Sequence, residues 1–217
     1  QMVGREISDM YPKPEVKPGK EMLRIENFSR TGYFKEVSLS VRAGEIVGLT
    51  GLVGAGRTEV MEAVCGITKA DGGKLYLEGK EITIKNPTDA RDAGIILLPE
   101  DRQNTGLIMS WGLGRNVTLP ILKKFVKHGV IDEKAERELA KNMLEEVDTK
   151  AITVFDPASS LSGGNQQKVV VAKALAQDNM KVVIMDEPTK GVDVGAKAEI
   201  YAIMGELAQK GYAIIMI

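Results

Sequence analysis

Several residue types are scarce in this sequence, and each shortage excludes a class of protein. There is one cysteine, Cys65, in 217 residues, so no disulfide framework can form, and a lone thiol suits a reducing compartment. No apolar run approaches the roughly 20 residues of a transmembrane helix, so a role at a membrane would require a membrane-embedded partner. The net charge of -1 at pH 7 excludes the strongly basic character typical of nucleic-acid-binding proteins.

The chain divides into a polar N-terminal segment and one domain. Residues 1–22 contain three prolines and no hydrophobic period. They also lack the apolar core of a signal peptide, so we interpret them as a linker or an extended arm. Residues 23–217 have the length and the hydrophobic content of a single globular domain. Their last apolar run, residues 213–217, ends abruptly, and we therefore expect a domain truncated at its C-terminus.

The hydrophobic pattern predicts an α/β fold. Residues 23–28 and 37–41 alternate between apolar and polar without a helix between them, and residues 74–84 are typical of a β-hairpin. These strands predict an antiparallel β layer. Later apolar strands, such as residues 181–185, alternate with helical stripes, which predicts a parallel core sheet. Residues from about 103 to 175 are mostly helical in pattern, and we expect them to form a helical subdomain.

Residues 51–58, GLVGAGRT, follow a predicted strand and open a predicted helix. Their spacing matches the phosphate-binding loop G-x4-G-K-[ST], with Arg57 in place of lysine. Glycines let successive N–H groups point at phosphate oxygens, the helix N-terminus adds partial positive charge, and the Thr58 hydroxyl can hold Mg²⁺. An ordinary glycine-rich turn is the alternative interpretation. The residues assigned to nucleotide binding are Gly51, Gly54, Ala55, Gly56, Arg57, Thr58 and Glu59.

Two adjacent acids, Asp186 and Glu187, follow an apolar strand. Ligands of open α/β sheets gather at the carboxyl ends of the strands, so these acids are expected near the phosphate loop. Asp186 is placed to hold Mg²⁺, and Glu187 is placed to orient or deprotonate the attacking water. A polar strand terminus without chemistry is the alternative.

A second glycine-rich helix start lies at residues 161–168, LSGGNQQK. Ser162 is suited to cap the helix, and Gly163 and Gly164 allow the backbone to approach an anion closely. With Asn165 they make a second phosphate-binding candidate in one chain. Because one phosphate loop is enough for one nucleotide, we expect this segment to serve a γ-phosphate bound on a different domain. A capped structural helix is the alternative.

These motifs together resemble those of the ABC transporter ATPases. The resemblance rests on LSGGNQQK at residues 161–168 and on VVIMDEPTKGVDVGAK at residues 182–197. It extends over nearly the whole chain from Leu23. In that family two domains enclose two ATP molecules head to tail, and the signature of each domain completes the nucleotide site of the other. The resemblance implies a P-loop NTPase fold of ABC type. It also places Asp193 in the segment called the D-loop, at the dimer interface.

Further motifs resemble the branch of the family that imports ribose, galactose, xylose and similar sugars. The second domain of its two-domain ATPase subunit typically carries GAGRTE, PEDR and DEPTxGVDVGAK, which stand here at residues 54–59, 99–102 and 186–197, and residues 2–6 resemble the inter-domain linker. The implied partners are the N-terminal ABC domain of the same subunit, membrane-spanning permease subunits and, indirectly, a sugar-binding protein, with no nucleic acid. The implied location is peripheral, on the cytoplasmic face of the cell membrane.

The resemblance also implies individual roles, with ATP and Mg²⁺ as cofactors. Tyr33 is expected to stack on adenine, and core packing of this aromatic is the alternative. The glutamine that usually contacts Mg²⁺ is absent; Glu100 stands near its place, either as a metal ligand or bonded only within its loop. Arginine lacks the compact charge of lysine. With the missing glutamine, Arg57 therefore predicts a degenerate site at this phosphate loop, while the intact signature, Ser162 to Gly164, serves the partner's ATP.

Three other functions stay open. A soluble ABC ATPase of DNA repair or translation is disfavoured by the short helical insert, which shows no heptad run. An importer of nucleosides would share much of this pattern. A non-hydrolysing regulatory module is disfavoured by the two acids after the apolar strand.

Two further residues invite structural interpretations. His128 lies among lysines and is expected at the solvated surface. Trp111 is expected to pack within the helical region, or else to lie near the surface that docks on a membrane subunit.

Overall fold

The computed structural model describes residues 16–217, which form two compact units. Residues 16–97, 179–187 and 204–217 make up the first, here called the sheet unit, and residues 98–178 and 188–203 make up the second, the helical unit. Most of the predicted linker, residues 1–15, lies outside the described residues. The remainder of that segment leads into a strand that begins at Glu21.

The elements alternate along the chain as the hydrophobic pattern predicts. The strands are β1 (Glu21–Arg30), β2 (Phe34–Arg42), β3 (Ile46–Gly48), β4 (Gly72–Leu77), β5 (Lys80–Ile82), β6 (Ile95–Leu98), β7 (Val126–Lys127), β8 (Val130–Ile131), β9 (Val182–Met185) and β10 (Ala213–Met216). The helices are α1 (Arg57–Val64), α2 (Pro87–Ala93), α3 (Leu113–Thr118), α4 (Glu133–Glu146), α5 (Gly163–Leu175) and α6 (Val194–Gln209). Short segments of 3-10 or π-helix occupy Arg102–Gly106, Leu119–Phe125 and Ala158–Ser160.

The sheet unit contains the predicted antiparallel layer, with the strand order β2-β1-β4-β5. The predicted hairpin is present: β4 and β5 are joined by Glu78 and Gly79, whose φ angles are 51° and 78°. Positive φ at both turn positions matches the right-handed twist of the flanking strands. Leu23 and Ile25 of β1 are fully buried and form the inner face of this layer.

A parallel sheet with the order β3-β10-β9-β6 forms the centre of the sheet unit. β10 pairs in parallel with β3 and with β9, so that Gly48, Met216 and Met185 lie side by side. Every residue of β9 is buried, as expected for a strand covered on both faces. The α/β fold with a parallel core sheet and an antiparallel layer is confirmed.

The helical unit is built around α3, α4 and α5, with Leu113, Val117 and Ala140 fully buried. Asp132 caps α4, because its carboxylate accepts a hydrogen bond of 3.1 Å from the Ala135 amide. A small hairpin, β7 and β8, precedes α4 and was not predicted. Two-residue strands are too short to show a hydrophobic period.

The loop before α3 is held by a buried amide. Asn116 is fully buried, and its side chain donates to the carbonyls of Ile108, Trp111 and Gly112 while accepting from the Ile108 amide. The Trp111 side chain is nevertheless 43% exposed, so it belongs to the surface of the helical unit.

His128 is exposed in the β7–β8 turn, as predicted. Within residues 16–217, no helix has the length and apolar character that crossing a membrane would require.

Candidate nucleotide site

The phosphate loop connects β3 to α1 and depends on two left-handed glycines. Gly54 and Gly56 have φ angles of 80° and 82°, which other residues rarely adopt. A Cβ at Gly56 would lie 2.8 Å from the Tyr33 carbonyl oxygen, so this position also lacks space for a side chain. The loop therefore lies directly against the β1–β2 turn.

The first turn of α1 can receive an anion. The first N–H groups of a helix have no partner within the helix, and among the described residues no side chain caps α1 at Gly56. The Arg57 side chain turns back along the loop, because a Cβ at Gly51 would lie 3.8 Å from its Cδ and 3.9 Å from its Nε. Amide donors, the helix N-terminus and one cation thus meet where the sequence predicts phosphate binding.

Tyr33 lies beside this loop, and its ring is exposed. It is 53% exposed, and the Arg30 guanidinium carbon lies 3.9 Å from the ring centroid. Such stacking is a cation–π contact. The turn is held by Asp71, whose carboxylate accepts a 2.5 Å hydrogen bond from the Thr31 amide; this bond holds the pKa of Asp71 below its usual value. The alternative of core packing does not describe Tyr33, and adenine stacking stays a prediction.

The two acids leave the parallel sheet at the same edge as the phosphate loop. The Leu49 amide donates to the Met216 carbonyl at 2.7 Å, and the Ile217 amide donates to the Met185 carbonyl at 2.9 Å. Asp186 follows directly and is only 3% exposed. Since neighbouring strands lie about 4.8 Å apart, the ends of β3 and β9 are separated by roughly 10 Å. This is the arrangement that a shared metal and phosphate site requires.

Glu187 has an unusual backbone. Its φ angle is 42°, in the left-handed region where a residue other than glycine costs of order 1–3 kcal/mol. Its amide donates to the Ile217 carbonyl at 3.2 Å, which ties the strained residue to the end of β10. Strain of this kind is concentrated at functional sites, and here it sets the direction in which the predicted catalytic carboxylate leaves the sheet.

Thr58 and Asp186 suit Mg²⁺ bound together with nucleotide. No group of three or more His, Cys, Asp or Glu side chains in residues 16–217 could hold a metal ion by itself. Mg²⁺ does not need such a cage, because it keeps several waters and binds one or two protein oxygens plus phosphates. A hydroxyl and a buried carboxylate are donors of the required kind.

Glu100, the third residue predicted to bind metal, belongs to the helical unit. Its carboxylate forms an ion pair with the Lys190 ammonium. Lys190 is 90 residues away in sequence, so the pairing does not match the alternative in which Glu100 bonds only within its own loop. Metal binding by Glu100 stays a prediction.

The signature opens α5, and its serine is held by the adjacent asparagine. Ser162 stands at the N-cap position, although its hydroxyl makes no capping bond to the backbone. Asn165 Nδ2 donates to Ser162 Oγ at 3.0 Å, and Asn165 Oδ1 accepts from the Lys150 amide at 2.8 Å. Because the Ser162 oxygen acts as acceptor here, its hydrogen stays available to donate to a phosphate oxygen.

Residues 190–193 precede α6; they include Gly191 to Asp193, which the resemblance places in the D-loop, and are together called the D-loop here. Asp193 Oδ1 accepts a 3.0 Å hydrogen bond from the Ala196 amide and so caps α6. A Cβ at Gly164 would collide with the Ala196 side chain, so the starts of α5 and α6 are in close contact. Whether Asp193 also reaches another domain stays a prediction.

Sequence reasoning missed the buried polar residues that support the signature. Lys168 is 2% exposed, and its ammonium lies 2.8 Å from both Glu199 Oε2 and the Asp148 carbonyl oxygen. The available signal was a lysine followed directly by the apolar run of residues 169–172 within a helix. A charge in such a place is retained only when it is paired.

Comparison with known proteins agrees with these features. The chain is 48% identical over 217 residues to the ribose import ATP-binding protein RbsA of Oceanobacillus iheyensis, covering 100% of this chain and 44% of that protein. It is 49% identical to the protein of the same name from Lactococcus lactis subsp. cremoris, with the same coverage. The chain thus spans less than half the length of these curated relatives.

A solved structure supports the same relationship. A nucleotide-free ATP-binding cassette from an ABC transporter superposes with a TM-score of 0.77 and 28% identity, covering 91% of this chain and 81% of that one. The profile of the ABC transporter family matches residues 34–190. Since this match spans most of the chain and includes the phosphate loop, the signature and the acidic pair, the chain belongs to the ABC transporter family.

Proposed function

We propose that this chain is the second nucleotide-binding domain of the ATP-hydrolysing subunit of a bacterial monosaccharide importer. One observation carries the proposal: the phosphate loop and the acidic pair leave the same edge of a parallel sheet, as the register of Gly48, Met216 and Met185 shows. The name of the relatives, ribose import ATP-binding protein, supports a sugar of that class. Their length, more than twice that of this chain, supports a second half in the same subunit.

In this proposal the sheet unit binds the nucleotide. The loop amides and the N-terminus of α1 receive the phosphates, Arg57 neutralises part of their charge, and Tyr33 stacks on the base. Thr58 and Asp186 hold Mg²⁺, which supplies neutralisation of the β- and γ-phosphates when bound. Glu187 accepts a hydrogen bond from the attacking water and so orients it toward phosphorus.

The helical unit serves the nucleotide of the other half. The Ser162 hydroxyl and the first amides of α5 donate to a γ-phosphate held by the N-terminal domain's loop. That productive site is intact, whereas the site at this chain's own loop is weakened by Arg57 and by the missing glutamine. Nucleotide-driven closure is transmitted to permease subunits at the cytoplasmic face of the membrane, and the sugar arrives from a separate binding protein.

Turnover by the full-length subunit assembled with its permease tests this asymmetry. We expect Ser162→Ala to lower ribose-stimulated ATP hydrolysis on the order of 100-fold, the usual effect of removing one donor to a transition-state oxyanion. Arg57→Ala is expected to lower ATP hydrolysis much less than Ser162→Ala, because it alters the weaker site. A larger loss from Arg57→Ala would contradict the asymmetry. An importer that responds to no pentose or hexose would contradict the sugar class.

A further inference from the structure

Residues 99–102, PEDR, are here called the PEDR segment. They bind the backbone of the D-loop through hydrogen bonds. Arg102 Nη1 donates to the Lys190 carbonyl at 2.7 Å, and Nη2 donates to the Gly191 carbonyl at 3.2 Å. A planar guanidinium that binds two successive carbonyls fixes both the position and the orientation of that peptide. Lys190 and Gly191 both belong to the same unit as Arg102.

The same guanidinium contacts the start of the signature helix. Arg102 Nε donates to Gln166 Oε1 at 3.4 Å. A Cβ at Gly163 would lie 2.7 Å from Arg102 Nη2 and 2.9 Å from the Gly191 carbonyl oxygen. The first residue of α5, the guanidinium and the D-loop are therefore in contact at one point, which leaves no room for a side chain at Gly163.

Gln166 joins the arginine to the turn that precedes α5. It is 4% exposed. Its Oε1 also accepts from Gln103 Nε2 at 3.1 Å, and its Nε2 donates to the Leu161 carbonyl at 2.9 Å. A buried amide with both ends engaged has one orientation, so a displacement of Arg102 is passed on to the residues that carry Ser162.

A second contact secures the same D-loop residue. The Glu100 carboxylate pairs with the Lys190 ammonium, while Arg102 holds the Lys190 carbonyl. Asp101 anchors the PEDR segment to the turn that follows it, because its carboxylate accepts from the Gln103 amide at 3.1 Å and from the Asn104 amide at 3.0 Å. The side chain of Lys190 is thus held by Glu100 and its backbone carbonyl by Arg102, two residues further along the same segment.

We propose that Arg102 is a positioning residue that fixes the signature, residues 161–168, and the D-loop relative to each other, with Glu100 assisting through Lys190. The inference rests on the proposed function of the signature, and it assigns the PEDR segment to the nucleotide site of the neighbouring half. Misplacing a phosphate donor by about 1 Å can lower a rate as much as 100-fold. Arg102 therefore governs the rate of turnover, and nucleotide affinity at this chain's own loop is independent of it.

The test compares Arg102→Lys with Arg137→Lys in the full-length subunit assembled with its permease. Arg137 is a matched control, because its Nε also donates to a backbone carbonyl of the helical unit, that of Glu133 at 2.9 Å. Lysine keeps the charge but cannot bind two carbonyls in one plane. We expect Arg102→Lys to lower kcat for ATP about tenfold with KM changed less than about twofold, and Arg137→Lys to change neither.

Two further measurements separate positioning from a general loss of structure. In the nucleotide-free protein, amide hydrogen exchange is expected to accelerate in residues 161–168 and 189–197 of Arg102→Lys, with the thermal midpoint nearly unchanged. In the double variant with Ser162→Ala, kcat is expected to fall little below that of Ser162→Ala alone, because both changes act at one phosphate contact. Multiplicative losses, or a fall in kcat that follows the thermal midpoint, would overturn the proposal.

The role of Glu100 is tested by exchanging charges. Glu100→Lys is expected to lower kcat, and adding Lys190→Glu is expected to restore most of it, because the ion pair is rebuilt in reverse. If Glu100 holds Mg²⁺ instead, the exchange will not restore turnover, and the assisting role is overturned. A normal rate in Ser162→Ala would refute the proposed function itself, which distinguishes that failure from a failure of Arg102 alone.

Discussion

Tyr33 is an exposed aromatic residue whose place is fixed by its main chain and not by packing of its ring. Its carbonyl oxygen faces Gly56 of the phosphate loop, while its ring is covered on one side by the Arg30 guanidinium. A purine entering above the loop can use the free face of the ring. The position is therefore determined by the contact between turn and loop, and the aromatic ring is available for ligand.

Removing this ring is expected to weaken ATP binding at this chain's loop. Stacking of a base on an aromatic ring contributes about 1–3 kcal/mol, so Tyr33→Ala should raise the Kd for ATP about tenfold or more, while Tyr33→Phe should leave it unchanged. Equilibrium binding of ATP to the full-length subunit, with the other half's loop disabled, measures this. Equal affinity in Tyr33→Ala and the parent protein would show that the base binds elsewhere.

Cys65 is a residue whose chemistry is suppressed by its location. It follows α1 and is 3% exposed. Burial, with a smaller contribution from Glu62, raises the pKa of its thiol to about 12. Since the thiolate is the reactive form, the folded protein should present almost none of it at neutral pH.

We expect Cys65 to resist alkylation by iodoacetamide at pH 8 until the domain unfolds. Mass spectrometry of the peptide containing Cys65, with increasing denaturant, measures the fraction modified. The modification should follow the unfolding transition seen by circular dichroism. Rapid modification in the absence of denaturant would mean that the end of α1 opens locally.

At the scale of elements, the β4–β5 turn carries an ion cluster that links separate strands of the sheet unit. Glu78 lies 2.5 Å from the Lys181 ammonium, just before β9, and 2.7 Å from the Lys20 ammonium, just before β1. The hydrogen bonds from Lys181 and then Lys20 lower the pKa of Glu78 to about 2. The turn is thus connected to both sheets of the unit.

This cluster makes stability depend on pH in a defined window. Because the pKa of Glu78 is lower in the folded state, its stabilisation is present above about pH 4.5 and is lost as the pH falls toward 2. Denaturant unfolding of the parent and of Glu78→Gln should differ at pH 6 and converge near pH 2. Lys181→Met should reduce the same difference. If the two proteins still differ as much in free energy of unfolding at pH 2 as at pH 6, Glu78 is excluded as the source of the difference.

At the scale of the whole molecule, the sequence reveals local features well. The phosphate loop, the Glu78–Gly79 hairpin and the Asp132 cap each depend on residues close in sequence, and the structure contains all three. Their residue types are nearly dictated by backbone geometry, as the positive φ angles of Gly54 and Gly56 show. Such features can be recognised one segment at a time.

Long-range contacts could not be predicted in the same way. Arg102 and Lys190 are 88 residues apart in sequence, and nothing in the hydrophobic pattern pairs them. The strand order β3-β10-β9-β6 is likewise invisible to periodicity, because all four strands are equally apolar. The phosphate loop, the acids and the signature could therefore be predicted from the sequence, while the contacts of Arg102 with Gln166 and the D-loop arise only from the folded structure.

The left-handed backbone of Glu187 affects which substitutions this position accepts. At φ 42°, glycine is the residue that the main chain would accept most easily. Selection for folding alone would tend to replace the carboxylate and relax the chain. The proposed role of Glu187 in orienting the attacking water accounts for a carboxylate at this position. Under the proposed function, Glu187→Gly should therefore stabilise the domain while lowering ATP hydrolysis, so that stability and turnover make opposite demands on this residue.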